Sequence, residues 1–224
     1  MCGRYSLATP LDDLIEVFDV PPIDFAYRPR YNVAPTQAAP VVAAGERGTR
    51  MGLLRWGLVP FWAKDVGIGS RMINARAETL LEKPAFKRAI HARRCLVPAD
   101  GFYEWYAGEY GKSPFWIHSP GRIPIAFAGL WERWDGGEGE PLFTFTIITT
   151  EASPAVSGIH HRMPAILEGD ARTRWLDRDR PGEEAVELLV PFEGELMAHE
   201  VSKIVNSPAN DVPECRDPIE GCAP

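Results

Sequence analysis

The first residues, MCGRY, place a cysteine directly behind the initiator methionine. Once Met1 is removed, Cys2 carries a free α-amine next to its thiol. Because an α-amine has a pKa of about 8, a useful fraction is neutral at physiological pH and can attack an aldehyde to form a Schiff base. The thiol can then close on the imine carbon and give a five-membered thiazolidine ring. Alternatively, the thiolate attacks an acyl group with the amine as base, or the cysteine has no role.

Two further motifs contain residues that suit this chemistry. Asn74, in RMINARAETL, has donors and acceptors that can hold an amine together with a thiol or carbonyl, although it could equally cap a helix. Arg76 follows with a planar guanidinium that suits a phosphate. Glu104, in VPADGFYEW, shares a strand face with Phe102 and Tyr106. Partial desolvation there makes Glu104 a candidate proton shuttle, and the alternative is an edge glutamate in solvent.

The motif SGIHHRMPAIL holds two adjacent histidines, His160 and His161. Histidine titrates near neutrality and can move protons. Neighbouring residues in an extended segment point to opposite sides, so we expect at most one ring to face a given site and predict no zinc site. Arg162 follows directly and can bind a phosphate. A polar loop without a function is the alternative.

Aromatic and cationic residues alternate in RWGLVPFWAK, a pattern typical of platforms that stack exposed bases. We expect Trp56 in the core, whereas Phe61 and Trp62 could belong to the core or to such a platform. The net charge of −7 argues against a general nucleic-acid binder. However, residues 1–100 contain 14 Lys and Arg against 10 Asp and Glu, and the remainder contains 10 against 21. A basic face built mainly from the first half is therefore compatible with the sequence.

The elements that must position these residues are mostly strands, which occur in runs rather than in alternation with long helices. Apolar patterning predicts strands over residues 39–45, 51–58, 94–106, 114–119, 124–132, 142–150 and 199–206. It predicts short helices over residues 9–18, with Thr9 as cap, 83–94, 170–177 and 182–192. We therefore expect an α+β fold around a curved, mainly antiparallel β-sheet or open barrel, as one domain over residues 1–224 with 208–224 as a tail.

The apolar runs and the cysteines of the sequence limit where the protein is expected to be located. No apolar run approaches the roughly 18 residues of a membrane helix, and no secretory signal is visible. We therefore expect a cytoplasmic or nucleoid-associated protein without a membrane partner, a metal or a cofactor. Four scattered cysteines read as reduced thiols. Cys215 and Cys222 could still pair or bind metal, although a lack of any role is the simpler interpretation.

The ordered set of motifs resembles one known family. The motifs are MCGRY, YNVAPTQ, RWGLVPFWA, INARAET, RCLVPADGFYEW, FAGLWE, TIITTEA, IHHRMPAIL and VSKIVN, and they span residues 2 to 207. This combination is similar to that of the SOS response-associated peptidase (SRAP) family of abasic-site processing proteins. The resemblance implies binding to single-stranded DNA, or to a single-strand/double-strand junction, that contains an abasic site. It also implies a thiazolidine DNA–protein crosslink to the ring-opened sugar, which shields the lesion during DNA repair.

The resemblance also implies a role for each matching residue. Cys2 would be the crosslinking nucleophile, Asn74 would orient its amine and thiol, and Glu104 would exchange protons with the amine and the leaving hydroxyl. His160 would promote sugar ring opening and crosslink reversal. The implied DNA contacts are Arg4, Asn32, Pro35, Phe61, Trp62, Arg76, Thr149 and Arg162. The family name implies a peptidase, and the chemistry favours only removal of Met1 and self-release of the crosslink.

Three other functions remain open from the sequence. Amidotransferases that use an N-terminal cysteine also begin with Met-Cys-Gly, but they hydrolyse glutamine and carry a second, synthetase-like domain. A non-covalent single-strand binder would not need Cys2. A metal-dependent nuclease would need a cluster of acidic or histidine ligands.

Overall fold

The computed structural model describes residues 2–46, 48–109, 111–136 and 139–219. The strands are β1 (Tyr5–Leu7), β2 (Arg30–Val33), β3 (Ala38–Gly45), β4 (Gly48–Trp56), β5 (Asn74–Arg76), β6 (Arg94–Ala99), β7 (Gly101–Gly108), β8 (Gly111–His118), β9 (Ile125–Trp134), β10 (Leu142–Glu151), β11 (Arg162–Pro164), β12 (Ile166–Leu167) and β13 (Met197–Glu200). The α-helices are α1 (Leu11–Phe18), α2 (Lys87–Ala92), α3 (Pro154–Ser157), α4 (Asp170–Leu176) and α5 (Gly182–Val186). Short 3₁₀ helices cover Val66–Arg71, Ala77–Thr79, Pro120–Arg122, Lys203–Asn206 and Pro213–Arg216.

The larger of the two sheets closes on itself. Its order is β11–β10–β4–β3–β6–β9–β12, and β10 also pairs with β9, so β10, β4, β3, β6 and β9 form a closed ring. Within it, β10 runs parallel to β4 and to the short β5, and the other pairs are antiparallel. The second sheet, β13–β8–β7–β1–β2, is antiparallel. The predicted α+β class with a mainly antiparallel sheet is confirmed, and the barrel is closed rather than open.

Large aromatic side chains fill the space between the ring and the N-terminal strand. Trp56, Phe127 and Phe145 are fully buried, and the Tyr5 ring meets Trp56 edge-on at 5.2 Å between centroids. Edge-to-face contacts of this kind stabilise a core beyond the area that they bury. The expectation that Trp56 belongs to the core is confirmed.

Several local predictions are wrong. The single strand predicted over residues 94–106 is two strands, β6 and β7, which belong to different sheets. Thr9 does not cap α1, because its hydroxyl donates to Asp100 Oδ1 at 2.6 Å and Pro10 occupies the cap position without a side-chain bond. The last predicted strand ends at Glu200, and Lys203–Asn206 form a 3₁₀ helix instead. Thr9 finds a partner 91 residues away, which a sequence pattern does not display, whereas the 3₁₀ helix is capped locally by the Ser202 hydroxyl, which accepts from the Ile204 N–H.

Residues 203–219, which we call the C-terminal segment, pack against the second sheet. The Arg30 guanidinium forms an ion pair with Asp211. Cys215 is buried in a small cluster with Tyr103. Most of the stretch predicted as a tail therefore contributes to the folded body, and the division into one domain stays a prediction.

Candidate active site

Cys2 lies in the interior, next to β5. Its exposed fraction is 0%, and Asn74 Nδ2 donates to the Cys2 carbonyl oxygen at 2.7 Å. Asn74 begins β5, which continues to Arg76, so it is a strand residue and not a helix cap. The Asn74 Oδ1 atom is buried and has no hydrogen-bond partner among the residues that the structure describes. Asn74 therefore holds the Cys2 carbonyl through its Nδ2, and its Oδ1 can still accept a hydrogen bond from another polar group of Cys2.

Glu104 comes close to Cys2 because β7 pairs with β1. Tyr5 lies opposite Phe102 in this antiparallel pair, and extending the same register places Gly3 opposite Glu104. Glu104 is buried, with 3% of its surface exposed. Burial, followed by the charge of Glu104, raises the pKa of the Cys2 thiol far above its usual range. The thiol is therefore protonated at neutral pH in this structure.

The two histidines lie in the turn between α3 and β11. Their rings stack, with centroids 4.4 Å apart and planes inclined by 24°. The expectation that they point to opposite sides is wrong, because the chain turns here and is not extended. The backbone N–H of Arg162 donates to His160 Nδ1 at 2.9 Å, and the carbonyl oxygen of Arg162 lies 3.1 Å from the same nitrogen. His160 is half-buried and His161 is exposed.

Strand β10 joins Asn74 to the histidine turn. It pairs with β5 on one side, where Thr149 is opposite Arg76, and with β11 on the other, where Thr149 is opposite Pro164. A cavity of about 480 Å³ opens at this junction. It is lined by Arg76, Glu151, Ala152, Ser157, His161 and Arg162. The structure thus brings three of the predicted DNA-contact residues, Thr149, Arg76 and Arg162, to one place.

Arg162 is bound within the protein on several sides. Its guanidinium donates to both carboxylate oxygens of Glu78, at 2.6 and 3.1 Å, and to the Thr149 carbonyl at 2.6 Å. The hydrogen bond from Arg162 lowers the pKa of Glu78. A phosphate that approached these nitrogens would meet the Glu78 carboxylate. The sequence displayed Glu78 within INARAET, but its partner lies 84 residues further on.

Arg4 and Asn32 are placed in the interior rather than on an open groove. Arg4 Nη1 donates to Asn32 Oδ1 at 2.7 Å and to the Val205 carbonyl at 2.6 Å. Asn32 is fully buried, and its Nδ2 lies 3.2, 3.0 and 2.6 Å from the carbonyl oxygens of Val205, Ser207 and Asn210. In this conformation both side chains hold the C-terminal segment, and their contact with DNA stays a prediction.

Phe61 and Trp62 lie in the loop of residues 57–72, which we call the aromatic loop. Their exposed fractions are 47% and 48%, so neither belongs to the core. The loop is closed at its base, where Gly57 has φ +117° and a Cβ there would lie 2.6 Å from the Gly69 carbonyl oxygen. Trp134 Nε1 also donates to the Ala63 carbonyl at 2.8 Å. The two exposed rings are therefore presented by an anchored loop.

The surroundings of the two rings differ. The Arg88 guanidinium, on α2, lies 4.8 Å from the centroid of the Phe61 ring and covers one of its faces. The sequence showed a basic helix here but not which aromatic residue it contacts.

Pro35 is half-buried in the turn between β2 and β3, and its neighbour Thr36 donates from its backbone N–H to the Trp56 carbonyl at 2.8 Å. Pro35 is thus close to the start of the aromatic loop.

Among the residues that the structure describes, no group of three or more His, Cys, Asp or Glu side chains is arranged to hold a metal ion. Within the same ranges, no helix has the length and apolar character to span a membrane. Cys2, Cys95 and Cys215 are free and buried, and Cys222 lies outside the described residues.

The fold and the site together define an α+β protein with a closed five-stranded ring and a buried cysteine at position 2. The sequence profile of the family described as "SOS response associated peptidase (SRAP)" matches residues 1–208. The chain belongs to this family, as its motifs predicted.

Relatives of the chain are similar over most of its length. An abasic site processing protein of Bacillus subtilis, YoaM, is 45% identical over 97% of this chain and 98% of its own. The abasic site processing protein HMCES of Gallus gallus is 40% identical over 87% of this chain and 67% of its own. A crystal structure of a protein from Bacteroides thetaiotaomicron superposes with a TM-score of 0.86 at 28% identity, covering 97% of this chain and 99% of that one.

Proposed function

We propose that this protein processes abasic sites in DNA by forming a covalent crosslink through Cys2. The observation that carries the proposal is the buried Cys2, whose carbonyl is held by Asn74 while Glu104 lies beside it. The printed names of the Bacillus and chicken relatives, abasic site processing proteins, support the same conclusion. The proposed substrate is single-stranded DNA, or a junction of single and double strands, with one abasic site.

The proposed reaction begins after Met1 has been removed. The neutral Cys2 amine attacks the aldehyde carbon of the ring-opened sugar and forms a carbinolamine. Glu104 takes the proton that the nitrogen loses and passes it to the hydroxyl, which leaves as water, so that an imine remains. The sulfur then adds to the imine carbon and its proton passes to the nitrogen, so one aldehyde and one cysteine give one thiazolidine and one water.

The electrostatics support this order of steps. Because burial and the Glu104 charge favour the protonated thiol, the sulfur is a poor nucleophile before the amine has reacted. The orphaned Oδ1 of Asn74 can accept a hydrogen bond from the amine and aim its lone pair. His160 is proposed to open the sugar ring and to promote reversal of the crosslink, in which the steps run backwards with water as reactant.

The DNA is proposed to cross the cavity beside β10 and the aromatic loop. Arg76 is exposed there and offers a guanidinium to a phosphate, and Trp62 offers a ring face to a base. Because one face of Phe61 is already covered by Arg88, we propose that Trp62 stacks on a base and that Phe61 supports it. Arg4, Asn32, Pro35, Thr149 and Arg162 remain proposed contacts that would need exposed atoms or a local rearrangement.

The peptidase activity in the family name is proposed only for the protein's own chain, as removal of Met1, together with hydrolytic self-release of the crosslink. The lyase-like crosslinking step needs the free amine, so an intact mass without Met1 is expected. A protein that keeps Met1 or is acetylated, yet still forms the crosslink, would contradict the mechanism. We propose a role in the SOS and DNA damage responses, in the cytoplasm and on the nucleoid.

The test is a denaturing gel of protein incubated with single-stranded DNA that carries one abasic site. A slowly migrating band is expected for the wild type and not for Cys2→Ala or Cys2→Ser. Cys95→Ala is the matched control, because Cys95 is equally buried but has no place in the reaction, and it should crosslink like the wild type. Asn74→Ala and Glu104→Ala should slow the band, and His160→Ala should change the rate of formation or reversal.

Two results would favour another function. Equal protection of abasic DNA by wild type and Cys2→Ala would indicate a non-covalent single-strand binder. Cys2-dependent hydrolysis of glutamine without any DNA crosslink would indicate an amidotransferase.

A further inference from the structure

The ion pair between Glu78 and Arg162 crosses the middle of the candidate site. Both carboxylate oxygens accept hydrogen bonds from the guanidinium, at 2.6 and 3.1 Å, which is the bidentate arrangement that best fixes an arginine. The Arg162 side chain is 10% exposed and that of Glu78 is 52% exposed. The same guanidinium donates to the Thr149 carbonyl of β10 at 2.6 Å. The pair is therefore anchored to the strand that it crosses.

The two partners belong to the opposite halves of the site. Glu78 lies in the 3₁₀ helix Ala77–Thr79 that directly follows β5, and β5 carries Asn74. Arg162 begins β11, directly after the histidine turn. Because β10 lies between β5 and β11, the ion pair reaches across β10 and connects the 3₁₀ helix after β5 with the first residue after the histidine turn.

Arg162 also controls the environment of His160 through its backbone. Its N–H lies 2.9 Å from His160 Nδ1 and its carbonyl oxygen lies 3.1 Å from the same atom. A backbone N–H can only donate, so a neutral ring accepts it at Nδ1 and carries its own proton on Nε2. The backbone of Arg162 therefore selects one of the two neutral tautomers of the His160 ring.

We propose that Glu78 is a positioning residue, which acts through Arg162 to hold the backbone donor and acceptor around His160 Nδ1. The carboxylate fixes the guanidinium, the fixed side chain holds the first residue of β11, and that residue sets the tautomer of the neutral His160. The kinetic part of this proposal rests on the proposed crosslinking function. The structural part concerns the protein without DNA and can be tested alone.

The first experiment measures the tautomer of His160 by ¹H–¹⁵N NMR of the imidazole nitrogens in DNA-free protein, at about pH 8, where an ordinary imidazole is neutral. The signals are assigned by their loss in His160→Gln. Wild type should show one tautomer, protonated on Nε2, and Glu78→Gln should show a mixture. Glu82→Gln is the matched control: Glu82 is exposed, lies in the same stretch and has no ion pair among the described residues, so its removal should leave the tautomer unchanged.

The second experiment separates binding from reaction in single-turnover crosslinking with abasic single-stranded DNA. Glu78→Gln should slow the His160-dependent rate at saturating DNA by about threefold to tenfold, the effect of losing one oriented hydrogen bond. Its Kd should equal that of Glu82→Gln, which removes the same charge. Tighter binding of Glu78→Gln at an unchanged rate would mean that Glu78 guards a phosphate site, and this result would overturn the proposal.

The remaining outcomes are also decisive. A single Nε2-protonated tautomer in Glu78→Gln would refute the proposal, whatever the kinetics. If wild type forms no crosslink, the proposed function fails and the NMR comparison still decides the role of Glu78. If Glu78→Gln does not fold, Glu78→Asp replaces it, because it keeps the charge and shortens the side chain. The expected result is then again a mixture of tautomers, and an unchanged spectrum would refute the proposal.

Discussion

Replacement of Asn32 by alanine should release the C-terminal segment. The Asn32 amide meets three backbone carbonyls of this segment, and its Oδ1 accepts from Arg4. An NH₂ group has two protons, so two of the three contacts can be full hydrogen bonds at one time. With about 1 kcal/mol for each of these and about 2 kcal/mol for the bond from the charged guanidinium, the expected loss is about 4 kcal/mol.

Two measurements check this value. Urea unfolding should give the change in the free energy of unfolding, and amide hydrogen exchange should show which residues open. A loss of about 4 kcal/mol corresponds to an open population that rises by several hundredfold, and the faster exchange should be concentrated in residues 203–219. Asn206→Ala is the control. Its exposed side chain accepts one hydrogen bond from the described residues, from Trp105 Nε1, and the replacement should cost less than about 1 kcal/mol.

The outcome also separates two roles of Asn32. If Asn32→Ala loses less than 1 kcal/mol and exchange in residues 203–219 is unchanged, the amide contacts do not hold the segment and the reasoning is refuted. If that variant binds abasic DNA more weakly at the same time, Asn32 acts as the DNA contact that the family resemblance implied.

Four further predictions follow from the structure. Alkylation of Cys2 at pH 8, followed by mass spectrometry, should be slow in the native protein and fast in urea, since burial and Glu104 raise its pKa; rapid native labelling would contradict this. The ion pair with Arg162 lowers the pKa of Glu78 from 4.5, so the pair stabilises the fold above pH 4.5. This stabilisation is lost as the pH falls through the lowered pKa. The difference in unfolding free energy between wild type and Glu78→Gln should therefore vanish in acid. Burial, with the nearby His199, Arg122 and Arg216, lowers the pKa of His118 from 6.5. As the pH falls, the unfolded chain therefore binds a proton before the folded protein does. The unfolding free energy should fall below pH 6.5 in wild type and less so in His118→Gln. Trp62→Ala should weaken binding of single-stranded DNA by about 1–3 kcal/mol, measured by fluorescence anisotropy, and an equal or larger loss in Phe61→Ala would reverse the assignment of the two rings.

The sequence predicted those features that depend on local pattern. The strand period identified the face that Glu104 shares with Phe102, although it joined β6 and β7 into one strand. The apolar run around Trp56 identified a core strand. It also supplied the motif order that identifies the family. Cys2 and Asn74 were singled out by residue type, but their hydrogen bond joins residues 72 positions apart, which no local pattern shows.

The sequence could not show partners that are distant along the chain. Arg4 and Asn32 have polar side chains of the kind that contact DNA. In the structure, however, both donate to the carbonyl of Val205, which lies 201 and 173 residues further on. From the sequence Arg162 is a candidate phosphate ligand, but in the structure its guanidinium already forms an ion pair with Glu78. The stacked histidines required knowledge of the turn after α3, because a different backbone path would have separated the rings.

The contact between Arg4 and Val205 has a consequence for the order of events during protein synthesis. The guanidinium finds its carbonyl partner 201 residues later, so the layer beneath the first strand cannot be complete until the ribosome has made nearly the whole chain. Until then the amino terminus is accessible to the enzymes that trim nascent polypeptides. Once the whole chain has folded, Cys2 is enclosed, and trimming by an external enzyme is expected to belong to the period of translation.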